Sequence, residues 1–248
     1  VPTVPTFRLF TRRAFLSLLA LFPQVACGER TLKVGDARFR VFARGNSSRR
    51  YIHIHGNEST ARVALSGHVR NRKGVSFFIS GDLRTITVNG LLIDPNRMFS
   101  RVGATASLRR LNPNAATPEI DQALATLDRD LPPLLSQLLP PTGGLLISVH
   151  NNSQGYNIQT EIPISEAHHL PKPDAPNDFF LATDPRDFEI LAKSPYNAVL
   201  QSKPVTEDDG SLSRLCAARG IRYVNLECYA GRLNIQREML AWLDRALP

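Results

Sequence analysis

Leu145-Leu146-Ile147-Ser148-Val149 is the stretch that decides the fold. Five residues with one polar member are short for a helix and too apolar for a strand with one wet face. They read as a strand buried on both sides within a sheet. Such strands belong to α/β domains, in which helices cover both faces. Outward from it the chain alternates. Toward the N-terminus, residues 38–44, 51–55 and 75–79 read as strands, and residues 58–70 as a helix. Residues 84–93 read as a hairpin turning at Asn89-Gly90. Residues 118–139 read as a long helix, with Glu119 in its first turn and Pro140-Pro141 ending it. Toward the C-terminus, residues 179–182, 198–200 and 223–228 read as strands. Residues 209–219 form a helix stopped by Gly220, and residues 233–247 a terminal amphipathic helix. The Pro-rich stretch 161–177 reads as a long loop near the site. The expectation is a three-layer α/β/α domain with a mixed central sheet over residues 32–248.

Composition sets the outer limits. Hydrophobic residues make up 42% of the 248 and charged residues 21%, so a sizeable core can form and disorder is not indicated. No apolar run reaches the roughly 20 residues of a membrane span. The net charge of +8 is scattered along the chain. There is no basic helix and no RNA-binding aromatic motif, so no nucleic-acid partner is expected. Residues 1–28 read as an export signal: Arg12-Arg13 precede the apolar stretch 14–22, a pattern that resembles a twin-arginine signal. A buried N-terminal helix is the alternative. Export would place the protein in the periplasm or outside the cell. Removal of the leader would also take Arg8, Arg12 and Arg13. Of Cys27, Cys216 and Cys228, the last two could pair in an oxidising compartment. No CxxC occurs, so a thiolate zinc site is not indicated.

Four elements carry the chemistry. In His55-Gly56-Asn57-Glu58 a histidine closes a strand and a glutamate opens a helix, and that turn can aim both at one metal ion. Asp94-Pro95-Asn96-Arg97 offers an amide and a guanidinium that forks onto a carboxylate. His150, with Asn151 and Asn152, follows the buried strand, where open α/β sheets build their sites. A core histidine satisfied by backbone groups would look the same. Glu227 lies inside an apolar strand, where a carboxylate is costly unless paired or functional.

In that order the four resemble the zinc carboxypeptidases, most nearly the branch with aspartoacylase and succinylglutamate desuccinylase. The resemblance spans residues 52–227. It implies one zinc ion on His55, Glu58 and His150, with substrate carboxylate held by Asn96 and Arg97. Glu227 would activate water and then protonate the leaving nitrogen. An arginine that polarises the scissile carbonyl is also implied; Arg84 is the best candidate and Arg101 the other. A substrate-covering tyrosine is implied too, with Tyr156, Tyr196 and Tyr229 as candidates. The implied activity is amide hydrolysis, carboxypeptidase-like or deacylase-like, on a peptide or N-acyl amino acid with a free carboxylate. The chain ends soon after Glu227, so the extra C-terminal domain of the aspartoacylase branch is not expected.

Two rival readings remain at this level. His53-Ile54-His55 could begin the metal site of an amidohydrolase barrel, since alternation puts both histidines on one strand face. Otherwise His53 supports the site from behind, and His168 and His169 are solvated in the loop. The chain could also be an exported, non-catalytic peptide-binding protein that keeps the fold.

Overall fold

The computed structural model describes residues 29–153, 155–203 and 207–248. The export signal expected at residues 1–28 lies outside them. The elements run in the order β1 Glu29–Val34, β2 Ala37–Arg44, β3 Arg50–His53, α1 Ser59–Val69, β4 Gly74–Ile79, β5 Ile86–Val88 and β6 Leu91–Ile93. A 3-10 turn, Pro95–Arg97, leads into α2 Arg101–Leu111, α3 Thr117–Leu138, β7 Leu146–Asn152 and α4 Ile158–Glu161. Then come β8 Ala167–His169, β9 Phe179–Ala182, α5 Pro185–Leu191, β10 Asn197–Leu200, α6 Leu212–Ala218, β11 Tyr223–Tyr229 and α7 Leu233–Ala246.

Nine strands form one sheet in the order β1-β2-β4-β3-β7-β11-β9-β10-β8. The central neighbours β4, β3, β7 and β11 are parallel, and antiparallel pairs flank them, so the sheet is mixed. Strand alternation sorts the core into two layers. Ile52, Phe77, Leu146, Phe179 and Tyr223 pack on one face, with residues of α2, α3 and α6. Tyr51, Phe78, Ile147, Phe180 and Val224 pack on the other, with residues of α1, α5 and α7. The expected three-layer architecture is what forms. Each fully buried Leu, Ile or Phe in these layers contributes about 1.5–3 kcal/mol.

Several local readings need correction. β1 takes in residues 29–31, ahead of the expected boundary at residue 32, and pairs along its whole length with β2. Residues 161–177 are not one long loop. They carry the end of α4, a 3-10 turn and β8, whose His168 and His169 pair antiparallel with β10. The helix read at 209–219 starts at Leu212, capped by Ser211, whose hydroxyl accepts from the Arg214 N–H. The barrel alternative fails because the sheet is open, with β1 and β8 at its edges. Cys216 and Cys228 are both free and buried on opposite faces of the sheet, so they do not pair. The Asn89-Gly90 hairpin is as expected: both residues have positive φ, 50° and 80°, as a tight two-residue turn requires.

One close approach fixes the segment that carries Asn96 and Arg97. Gly103 on α2 lies so near Gly210 that a methyl group there would collide with the backbone of Gly210 and Asp209. Gly210, at φ 76°, accepts a hydrogen bond from the Phe99 N–H at 3.0 Å. Gly103→Ala is therefore expected to push the 209–211 turn outward and to destabilise the fold by about 1–3 kcal/mol. Urea denaturation measures it, and an unchanged midpoint would show that the two backbones are not in forced contact.

Candidate metal centre and catalytic cavity

Three adjacent parallel strands deliver the site. β3, β7 and β11 all end at the same edge of the sheet, the side where open α/β folds place their ligands. His55 follows the end of β3, and His150 and Glu227 sit directly opposite each other on β7 and β11. The reading of 51–55 as strand is too long by two residues: β3 stops at His53, which frees His55 to turn into the cavity.

His55, Glu58 and His150 offer ligand atoms that all lie within 4.8 Å of one another, and all three residues are buried. His55 Nδ1 is 2.8 Å from Glu58 Oε1 and 3.2 Å from His150 Nδ1. His150 Nδ1 is 3.1 Å from Glu58 Oε2. The far side of the His55 ring sets its tautomer: Nε2–H donates to Asp94 Oδ1 at 2.8 Å. Nδ1 therefore presents a lone pair to a carboxylate oxygen and to a second imidazole. Acceptors this close need a cation between them, a proton or a metal ion. The charge states say the same. Burial disfavours a charged His55, yet its bonds to the Asp94 and Glu58 carboxylates raise its pKa. Burial likewise disfavours ionised Glu58, yet the facing His150 and His55 hold its carboxyl well below the usual range.

Neighbouring groups keep the ligands in place. Glu58 caps α1 without a side-chain cap bond, because its carboxylate faces the histidines. Asn151 takes over: its Oδ1 accepts from the Ala61 N–H at 2.8 Å, and its own N–H donates to Glu58 Oε2 at 3.1 Å. Gln236 of α7 donates to the His150 carbonyl at 2.8 Å. His53 is fully buried, and its Nε2–H donates to the Glu58 carbonyl at 3.0 Å. Burial lowers its pKa to about 4, so it stays neutral and supports Glu58 rather than joining the ligand cluster.

Glu227 is 5% exposed and caps a buried polar stripe. Ser148 lies two residues before His150 and Asn225 two before Glu227, so alternation puts all four on one face. The Tyr223 hydroxyl is 2.5 Å from Ser148 Oγ, which donates to Asn225 Oδ1 at 2.9 Å. With its oxygen so engaged, Asn225 turns its NH2 to Glu227 Oε1 at 3.1 Å, and Asn152 donates to Oε2 at 3.2 Å. Burial dominates and pushes the Glu227 pKa up to about 7, against the pull of His150 and of these two amides.

His55, Glu58, His150, Asn225 and Glu227 open on one cavity of about 470 Å³, which Arg84, Asn96 and Arg97 also line. Arg84 reaches Glu58 Oε1 at 3.2 Å and Asp94 Oδ2 at 3.3 Å. Asn96 accepts from the Leu212 N–H, and Arg97 pairs with Asp209 at 3.3 Å. Tyr156 is the one tyrosine of the three candidates that lines the cavity. Tyr196 packs on Phe180 across the sheet, and Tyr229 stacks with Arg232. Arg101 pairs with exposed Asp128 away from the cavity. Sequence reasoning missed the roles of Asp94, Asn151 and Asn225. The legible signal for Asn225 and Ser148 was a polar residue two places before each functional one, inside an apolar strand.

No family model and no curated protein matches the chain. Solved structures of similar fold include a succinylglutamate desuccinylase/aspartoacylase from Rhodobacter sphaeroides, at 12% identity and TM-score 0.45 over 85% of this chain and 59% of that one. An aspartoacylase family protein from Mesorhizobium loti is 15% identical with TM-score 0.46, over 89% of this chain and 66% of that one. The ectoine utilization protein EutE (DoeB) of Ruegeria pomeroyi is 16% identical with TM-score 0.43, over 83% of this chain and 59% of that one. The chain thus spans less than two thirds of the length of each, and at these identities the likeness is one of fold.

Proposed function

We propose that this chain is a zinc-dependent hydrolase that cleaves an amide bond next to a free carboxylate, on a peptide or an N-acyl amino acid. The observation that carries the reading is the shared cavity: three convergent ligand atoms, a buried carboxylate and a fork-bearing arginine all open into it. Two imidazoles and one carboxylate, with Asp94 orienting His55 from behind, are a donor set suited to one catalytic zinc. When bound there, zinc supplies Lewis-acid activation of water and of the scissile carbonyl.

The chain's own residues do the rest. Glu227 takes a proton from the attacking water and gives it to the leaving nitrogen. A carboxyl poised near neutrality can do both in turn. Arg97 and Asn96 hold the substrate carboxylate, Arg97 exchanging its contact with the half-exposed Asp209 for a bidentate pair. In this reading Arg84, which lines the cavity beside Glu58 and Asp94, polarises the scissile carbonyl. We extend the proposal to an exported protein, periplasmic or extracellular, on the strength of Arg12-Arg13 and the apolar stretch 14–22 alone. Among the described residues no helix is long and apolar enough to cross a membrane.

Purified protein is expected to carry about one zinc per chain by elemental mass spectrometry, and His150→Ala to lose most of it. Full occupancy in that variant would refute the ligand set.

Glu227→Gln keeps the shape but cannot move the proton. Turnover is expected to fall by about 10² to 10⁴ with zinc content unchanged. The metal-free protein offers a check independent of activity. A pKa raised from 4.5 to about 7 gives stability that is fully present below 4.5 and lost as pH rises through about 7. The melting temperature of metal-free wild type should therefore decline over that window more steeply than that of Glu227→Gln. Parallel curves would mean that Glu227 ionises freely, against the proposed tuning.

Arg97→Lys retains the charge and loses the fork. KM is expected to rise while kcat stays within a few fold, and amidation of the substrate carboxylate should have the same effect. Equal cleavage of free and amidated substrates would point to an internal amidase instead.

A further inference from the structure

The positive charge that is scattered in sequence is partly gathered by the fold. Alternation along β2 puts Arg38, Arg40, Phe42 and Arg44 on the face opposite the buried Phe39 and Val41. Beside that face, α1 contributes Arg62 and Val69, and the turn after it Arg70 and Arg72. The result is a groove of about 650 Å³ lined by Arg40, Arg44, Arg62, Arg70 and Arg72, with no Asp or Glu among its lining residues. It shares no lining residue with the metal cavity.

The groove has an apolar floor. Phe42 and Phe78 meet edge to face at 6.0 Å, with Val69 and Ile79 beside them. Two of the arginines are neutralised: Arg40 by Glu29 at 2.6 Å and Arg72 by Asp244 at 3.0 Å. Arg44 and Arg70 are exposed and form no ion pair among the described residues. Arg62 donates to the carbonyls of Gly56 and Gly81, but its Nε is buried without a hydrogen-bond partner.

Arg44 and Arg70 carry no counter-charge among the described residues, and the partly exposed Phe42 and Val69 leave apolar surface to water, which is unfavourable. A ligand that is apolar on one side and anionic on the other relieves both. The concavity and its volume suit one small molecule rather than a flat membrane, and the guanidinium fork matches carboxylate and phosphate. We infer that this groove is a second binding site, independent of the metal centre, for a single anionic amphiphile. The alkyl or aromatic body lies on the Phe42–Phe78 floor, and the carboxylate or phosphate is held by Arg44 and Arg70.

The test is a fluorescence titration of the full chain with 1-anilinonaphthalene-8-sulfonate, followed by displacement with decyl phosphate below its micellar concentration. Saturable binding and displacement are expected. Decanol and inorganic phosphate at the same concentration should not displace the probe, since each lacks half of the ligand. Arg44→Gln with Arg70→Gln should weaken decyl phosphate at least tenfold, with melting temperature and zinc content unchanged, because both side chains are exposed. Unchanged affinity in the double variant would overturn the site. So would displacement by inorganic phosphate alone, or binding confined to anionic lipid vesicles.

Discussion

The Nδ1 atoms of His55 and His150 and the carboxylate of Glu58 are forced together with their acceptor sides facing inward, and most of the site's architecture follows from that constraint. Each group is held from behind by a neighbour that cannot give way: Asp94 on His55, Gln236 on the His150 carbonyl, and His53 and Asn151 on Glu58. Burying an unpaired ion costs several kcal/mol, so three converging ionisable groups, all buried, would be a heavy burden without a shared proton or metal ion. The parallel register of β3, β7 and β11 makes the convergence unavoidable, because all three chains leave the sheet at one edge.

Glu227 illustrates how such a site sets a proton affinity with ordinary parts. Burial alone would keep the carboxyl neutral through the physiological range. Two amides oppose burial, and the orientation of one of them is not free. Asn225 must give its oxygen to Ser148, so only its NH2 remains for Glu227. The net value near 7 is thus a balance of desolvation and the Glu58 charge against His150 and against amide donors whose direction the strand pairing dictates.

Much of this was legible in the sequence, for identifiable reasons. Period and turn chemistry located the central strands, α1, α3, α7 and the Asn-Gly hairpin, since strong local signals mark each of them. The His55, Glu58 and His150 cluster was legible because a histidine closing a strand and a glutamate opening a helix are chemically conspicuous. What escaped was weakly patterned or dependent on tertiary partners. α2 mixes polar and apolar residues without a clear stripe, and α5 is only seven residues long. β8 has no apolar signature, and its pairing with β10 makes it a strand. Cys216 lies in α6 and Cys228 in β11, and which face of the sheet α6 covers is not written in the spacing of the sequence.

The same limit explains the charge. Counted along the chain, the arginines of β2 and α1 look dispersed, and dispersed charge reads as solubility. Their gathering depends on two facts that no local pattern contains: β2 exposes its even-numbered residues, and α1 packs over β7, β3 and β4 rather than over β2. The candidate metal-binding residues, by contrast, lie near or just beyond the C-terminal ends of β3 and β7, and a parallel sheet brings those ends together whatever the rest of the sequence does. Convergent chemistry at a sheet edge is therefore readable from order and spacing alone. A binding face built from the middle of strands and the flank of a helix becomes readable only after the fold has placed them.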